Sequence, residues 1–328
     1  MKRRQFITLL GGAAAAWPLA AQAQQGALPV IGFLHLTSLE TNRENLATFR
    51  QGLADIGYVE GKNVTIEYRW AQGRNDQLAI LVAELVRQQV SVIAVLETTN
   101  GALAAKAATQ TIPVVFLQAA DPVLIGLVDS LNRPGGNVTG IALMGAETAG
   151  KRLEQLLQLV PSAKSISYLR NPANAVYAEA ETREVEGAAR DRGVHLVLAN
   201  ASTSGEIDTA FADLAQQRVD ALQVSGDGFL LTHPDQIVTL TARYAVPAIY
   251  PYRQYMTVGG LMSYGTNIRD AWQQAGIYTG RILKGERPAD LPVQQVTNVE
   301  LVINLKTAKA LGITVPLPLS GRADEVIE

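Results

Sequence analysis

The chain has 328 residues, with 28 Lys and Arg against 30 Asp and Glu, three histidines and no cysteine. The missing cysteines exclude disulfides, thiolate zinc sites, iron–sulfur clusters, cysteine nucleophiles and a lipid-modified N-terminal cysteine, and a formal charge of −2 gives no global attraction to nucleic acid. With 48% hydrophobic residues, the length fits about two domains with buried cores.

Lys2, Arg3 and Arg4 precede a short apolar stretch from Phe6 to Ala16, and Ala21-Gln22-Ala23 has the small residues of a cleavage site. This order predicts a signal peptide over residues 1–23 and a mature chain beginning at Gln24. Arg3-Arg4-Gln5-Phe6-Ile7 resembles a twin-arginine export signal. The apolar stretch falls short of the ~20 residues of a spanning helix. Cleavage leaves 25 basic and 30 acidic residues, a net charge of −5. The expected product is exported, periplasmic and unanchored.

Residues 29–34, a continuous apolar run, predict a buried parallel strand. Asn42 can cap a helix in which Leu46, Phe49, Leu53 and Ile56 share a face and which Gly57 ends. Further strands are expected at 64–70, 91–96, 112–117 and 137–143, with helices at 78–86 and 101–108. The alternation then restarts, with helices at 147–159, 175–192, 206–217, 235–245 and 269–284. Strands at 165–169, 194–198, 221–224, 247–250 and 260–263 lie between them. The tail has strand-like segments at 293–296 and 301–304 and a short helix at 305–311.

Such alternation predicts an α/β fold with parallel sheets and right-handed crossovers. Its two runs predict two Rossmann-like lobes. Lobe one is expected to hold 24–145 plus 265–290, and lobe two 146–264 plus 291–328. Crossings between them are expected near 143–147, 263–267 and 288–293.

No Gly-x-Gly-x-x-Gly follows the first strand, where Gly32-Phe33-Leu34-His35 stands, and neither a Walker loop nor a Gly-x-Ser-x-Gly elbow occurs. No two of His35, His195 and His233 have metal-ligand spacing. Neither cofactor nor metal is expected. His195, inside an apolar strand, and His233, before Pro234, read as structural. His35 ends the first strand, where it can touch a ligand or serve as the base of a hydrolase.

In open α/β sheets, ligands bind beyond the carboxyl ends of the strands. That rule selects the loops at 35–40, 97–100 and 118–122 in lobe one, with His35, Ser38, Glu97, Thr98, Thr99, Gln118 and Asp121 as candidates. In lobe two it selects 170–174, 225–229 and 250–255, with Asn171, Asn174, Asp227, Phe229, Tyr250 and Tyr252. Thr98, Thr99 and Asn100 open a helix, whose free N–H groups suit a carboxylate; capping alone explains the same residues. Glu97, Asp121 and Asp227 can accept from an ammonium, and several carboxylates suit a zwitterion better than a dianion. Asn171 and Asn174 offer amides to a ligand or form a turn. Tyr250, Tyr252 and Phe229 offer aromatic faces, or pack the lobe. Arg253 can pair with a carboxylate or stay solvated.

Four stretches carry a resemblance: Asp121-Pro122-Val123, the run from Asn132 to Gly140 (NRPGGNVTG), the run from Gly259 to Gly265 (GGLMSYG) and the run from Glu300 to Ala308 (ELVINLKTA). They resemble the exported substrate-binding proteins of ABC transporters related to the tryptophan- and tyrosine-binding receptors, over residues 29–328. The resemblance implies a type I periplasmic-binding-protein architecture, with three hinge crossovers, a ligand in the interlobe cleft and no catalysis. It implies a small-molecule ligand: an amino acid, aromatic or branched, or an aromatic carboxylate. It also implies an inner-membrane ABC permease as partner. A monomer is expected. Two cleft loops depart from the family pattern. Leu96-Glu97-Thr98-Thr99-Asn100-Gly101 replaces a Ser/Gly-rich loop, and Asp227-Gly228-Phe229 replaces Asp-Pro-Phe. The competing readings are an exported hydrolase using His35 and a ligand-sensing module for a signalling partner.

Overall fold

The structure is a computed structural model and describes residues 28–328. The expected signal peptide and the mature terminus at Gln24 lie outside the described residues.

The first apolar run forms β1 (Val30–His35), followed by α1 (Leu39–Asp55), β2 (Thr65–Trp70), α2 (Leu78–Arg87), β3 (Val92–Leu96), α3 (Thr99–Ala108), β4 (Val114–Gln118) and β5 (Val138–Leu143). The second run comprises α4 (Glu147–Leu159), β6 (Ser165–Arg170), α5 (Ala175–Arg192), β7 (His195–Asn200), α6 (Ser204–Gln217), β8 (Ala221–Val224), α7 (Gly228–Leu231), α8 (Pro234–Arg243), β9 (Ala248–Tyr250), α9 (Gln254–Thr257) and β10 (Met262–Thr266). The chain ends with α10 (Ile268–Leu283), β11 (Gln294–Val296), β12 (Val299–Asn304), α11 (Leu305–Ala310), α12 (Leu317–Ser320) and β13 (Glu325–Ile327).

Two sheets result. One is parallel throughout, in the order β11-β5-β4-β3-β1-β2. The other runs β13-β12-β10-β9-β8-β6-β7, with only β10 and β12 antiparallel. Strands β3, β4 and β5 are buried along their whole length because helices cover both faces, which is why they read as unbroken apolar runs. Each sheet carries one apolar cluster on either face.

Helix α10 returns to lobe one and packs on α1 at backbone contact. A Cβ added to Gly52 would lie 2.1 Å from the Gln273 carbonyl oxygen, and one added to Gly276 would lie 2.1 Å from that of Phe49. Gly276→Ala must therefore push two helices apart. We expect a loss of about 1–3 kcal/mol, read as a melting point lower by several degrees. Gly187→Ala on α5, where nothing lies within 4 Å of the added carbon, is expected to raise stability by up to about 1 kcal/mol.

Three expectations need correction. Asn42 does not open the first helix: α1 starts at Leu39, and Asn42 (φ −123°, ψ 17°) interrupts it, its amide turned back to the Ser38 carbonyl at 3.2 Å. The third crossing does not fall at 288–293, and residues 294–296 do not belong with lobe two. β11 pairs with β5, and Val293 and Val296 are buried under the first sheet, so the chain leaves lobe one only at 297–298. Finally, α7, α9, α12 and β13 are too short for periodicity to reveal.

The crossings lie side by side. The Asn267 N–H donates to the Asn298 carbonyl at 2.9 Å, and the Asn298 amide reaches Asp270 at 3.1 Å. Thr266 Oγ1 approaches the Met144 carbonyl at 3.5 Å.

Candidate functional site

The carboxyl ends of the parallel strands from both sheets face one cleft of about 590 Å³, part of it open to solvent. The lobes meet across it. Tyr252 from lobe two joins an apolar cluster of lobe one, Leu231 touches clusters of both lobes, and a Cβ on Gly228 would lie 3.0 Å from the Glu97 carbonyl oxygen.

On the lobe-one wall, Glu97 follows β3 with a left-handed backbone (φ +55°), a costly conformation for a residue with a Cβ. Its N–H donates to the Leu117 carbonyl at 2.7 Å. Its carboxylate accepts from Trp272 Nε1 at 2.7 Å and from His35 Nε2 at 3.1 Å. The Thr37 N–H donates to His35 Nδ1 at 3.1 Å, so Nδ1 is the acceptor and Nε2 carries the proton given to Glu97. His35 is 0% exposed and lies behind Glu97, outside the cleft lining. The expected ligand contact or hydrolytic base is therefore a positioning group. Its hydroxyl neighbour, Thr37, is buried and also bonded to Thr41 and Asn42.

Thr98 caps α3, its hydroxyl accepting from the Gly101 N–H at 3.1 Å. The N–H groups of Thr99 and Asn100, in the first turn, have no intrahelical acceptor, and both residues line the cleft. Gln118 lines it from the end of β4, with its amide nitrogen 3.2 Å from the Ala120 carbonyl.

On the lobe-two wall, Asp227 is the most heavily engaged group. Its carboxylate accepts from Asn171 at 2.9 Å, Asn174 at 2.9 Å and the Phe229 N–H at 2.8 Å. Burial pushes this carboxyl above the usual carboxylate range, and the three donors pull against that. Asn171 and Asn174 line the cleft but spend amide protons on Asp227. Beneath them lies a buried ion pair. Arg152 meets Glu181 at 3.0 Å and also holds the Tyr264 carbonyl at 2.9 Å. The Glu181 carboxylate accepts from the Ser225 hydroxyl and, at 3.2 Å, from the Gly226 N–H. That N–H is thereby turned to the lobe interior. Tyr252 lines the cleft, its hydroxyl donating to the Gly226 carbonyl at 3.3 Å, and Phe229 lies beside it.

Four candidates sit elsewhere. Ser38 precedes α1, half-buried and outside the cleft. Asp121 is exposed and accepts from the N–H groups of Val123 at 2.8 Å and Leu124 at 3.1 Å, capping a turn beside a neighbouring depression. Tyr250 belongs to the lobe-two core, stacked on Tyr255 at 4.7 Å and bonded to Thr241 at 2.9 Å. Arg253 pairs with Glu325 and Glu300 on its own lobe. His195 is exposed at the start of edge strand β7 rather than inside the sheet.

Sequence reasoning missed Asn75, Leu143, Tyr177, Leu231 and Ile268 among the lining residues, and named no candidate at Leu36 or Ala119 inside the loops it selected. Tyr177 could have been found: it stands three residues after Asn174 in the first turn of α5, on the same face. Leu143 and Ile268 carry no local signal and line the cleft because they flank crossings. Among the described residues, none of the cleft-lining side chains is Lys, Arg or His, whereas Glu97 and Asp227 are acidic. Among those residues there is also no cluster of acidic and histidine side chains able to hold a metal, and no helix long and apolar enough to cross a membrane.

The architecture is that of type I periplasmic binding proteins. A conserved domain protein from Vibrio cholerae superposes with a TM-score of 0.85 at 27% identity, over 92% of this chain and 100% of that one. A domain from Streptococcus pneumoniae crystallised with L-Trp superposes with a TM-score of 0.83 at 26% identity, over 92% and 100%. A tyrosine-binding protein of Clostridioides difficile is 28% identical over 263 residues, covering 80% of this chain and 75% of that protein. Residues 30–327 match the sequence model of the ABC transporter substrate binding protein family, over strands and crossings that build both walls of the cleft, and the chain belongs to that family.

Proposed function

We propose that the protein is exported to the periplasm, captures a free amino acid with an aromatic side chain and delivers it unchanged to an ABC permease. The carrying observation is the charge of the cleft: among the described residues its lining holds two buried carboxylates, no cationic side chain and the open N–H groups of a helix start. An ammonium belongs at Glu97 and Asp227, and a carboxylate at Thr99 and Asn100. Phe229, Tyr252 and Leu36 cover the apolar body. A ligand that touches both walls favours the closed arrangement, which is how binding shifts the population of lobe positions. The relatives that bear the names of tryptophan and tyrosine support this choice.

Mass spectrometry of natively exported protein, followed by isothermal titration with free amino acids, tests the reading. An aromatic amino acid is expected to co-purify and to return unaltered after incubation. Recovery of a chemically converted product, or no affinity for any amino acid, rejects it.

Binding should also depend on pH. Burial holds the Asp227 carboxyl above its ordinary 3.8 in the free protein. A bound ammonium favours the ionised form, so binding expels a proton in the range above that value. Affinity is therefore expected to fall as the pH is lowered through this range, by at most about tenfold per pH unit for one proton. Titrations at several acidic pH values check this; an affinity flat from neutral pH to 4 contradicts the pairing.

A further inference from the structure

Two buried polar atoms in the cleft have no partner among the described residues: Oε1 of Gln118 and the hydroxyl of Tyr177. Their residues are 1% and 3% exposed, and each lobe supplies one of them to the cleft lining. Buried polar groups are rarely left unpaired, since each has given up water for nothing. The chemistry at Gln118 is unambiguous. Its amide faces the Ala120 carbonyl at 3.2 Å, and only the NH₂ end can donate there, so the unpaired end is an acceptor.

Position separates this pair from the carboxylates. Strand β4 lies between β3 and β5, with Leu117 beside Leu96 and Gln118 beside Ala142. Gln118 thus sits about one strand spacing, ~4.8 Å, from Glu97 on the side of the first crossing. The Tyr177 hydroxyl lies at the same end: a Cβ on Gly145, within that crossing, would be 2.9 Å from it, and one on Gly226 would be 2.5 Å from it. Glycine at both positions makes room for that hydroxyl.

We infer that Gln118 and Tyr177 form a side-chain subsite that recognises an uncharged hydrogen-bond donor, an O–H or N–H carried by the ligand's side chain, as in a phenol or an indole. The inference rests on the amino-acid reading above, in which Glu97 and Asp227 already serve the ammonium. A ligand without the donor strands the Gln118 acceptor in a dry site, and such sites discriminate strongly against the analogue that lacks the group.

Isothermal titration with two pairs of compounds tests this: tyrosine against phenylalanine, and tryptophan against 1-methyltryptophan. In each pair that binds, the donor-bearing member is expected to bind about 100-fold tighter or more. Tyr177→Phe and Gln118→Leu are each expected to reduce that ratio below about tenfold, by weakening the donor-bearing member while leaving the other unchanged or tighter. A general loss of structure weakens both members alike, so the ratio is the readout, and a melting curve accompanies each variant. A wild-type ratio within about threefold, or a large ratio that neither variant changes, overturns the subsite and leaves the amino-acid reading standing. If none of the four compounds binds, the aromatic amino-acid reading fails and the subsite falls with it.

Discussion

Asp227→Asn is expected to lower the affinity for the captured amino acid by about 2–4 kcal/mol, roughly 30- to 1,000-fold, with little change in the melting point. The asymmetry follows from what surrounds the group. One carboxylate oxygen accepts from Asn171 and the Phe229 N–H, and an asparagine oxygen can keep both bonds. The other oxygen accepts from Asn174; an NH₂ there faces a second NH₂, so one bond is lost. Against that loss, the substitution removes a buried charge that burial already disfavours. The free protein therefore changes little. The complex loses its ion pair with the ligand's ammonium and leaves that cation desolvated. Titration calorimetry and a thermal melt on one preparation separate the two effects. An affinity within threefold of wild type places the ammonium elsewhere.

Arg152→Met is expected to be the most damaging single substitution outside the apolar core. It leaves Glu181 charged, buried and without its cation, at a cost of about 3–5 kcal/mol. A melting point lower by on the order of 10 °C follows for a protein of this size. Affinity should fall too, because Glu181 holds the Gly226 N–H and the Ser225 hydroxyl under the cleft. The double variant Arg152→Met/Glu181→Leu removes both charges and is expected to recover part of the melting point. It should not recover affinity, since Glu181→Leu takes the acceptor away from the Gly226 N–H and the Ser225 hydroxyl. A single variant that melts like wild type shows that the pair contributes nothing to stability.

Much of the cleft is legible in the amino-acid sequence. Glu97, Thr98, Thr99, Gln118, Asn171, Asn174, Asp227, Phe229 and Tyr252 all line it, because strand ends and the loops after them are visible in the apolar pattern. What those residues do is less legible. Thr98, Asn171 and Asn174 spend polar groups on a helix cap and on Asp227, and only three-dimensional neighbours reveal how much hydrogen-bonding capacity is left. Tyr250 and Tyr252 read alike in sequence, two residues apart. Tyr250 ends a buried strand, whereas Tyr252 lies past it and reaches the opposite lobe.

The sequence by itself determined the α/β alternation, the two lobes and the loops that face each other, because periodicity and turn residues are local properties. Tertiary structure alone decided which lobe received residues 294–296, since a three-residue strand joins whichever sheet edge it reaches. It alone put His35 behind Glu97, with Trp272 arriving from 175 residues further along the chain. It also left Gln118 and Tyr177 unpaired at the hinge end of the cleft. The physical reason is common to all three. Pairing, of strands as of side chains, depends on contacts between distant segments, and no local pattern records which partner a backbone or polar group meets or which the folded chain leaves unsatisfied.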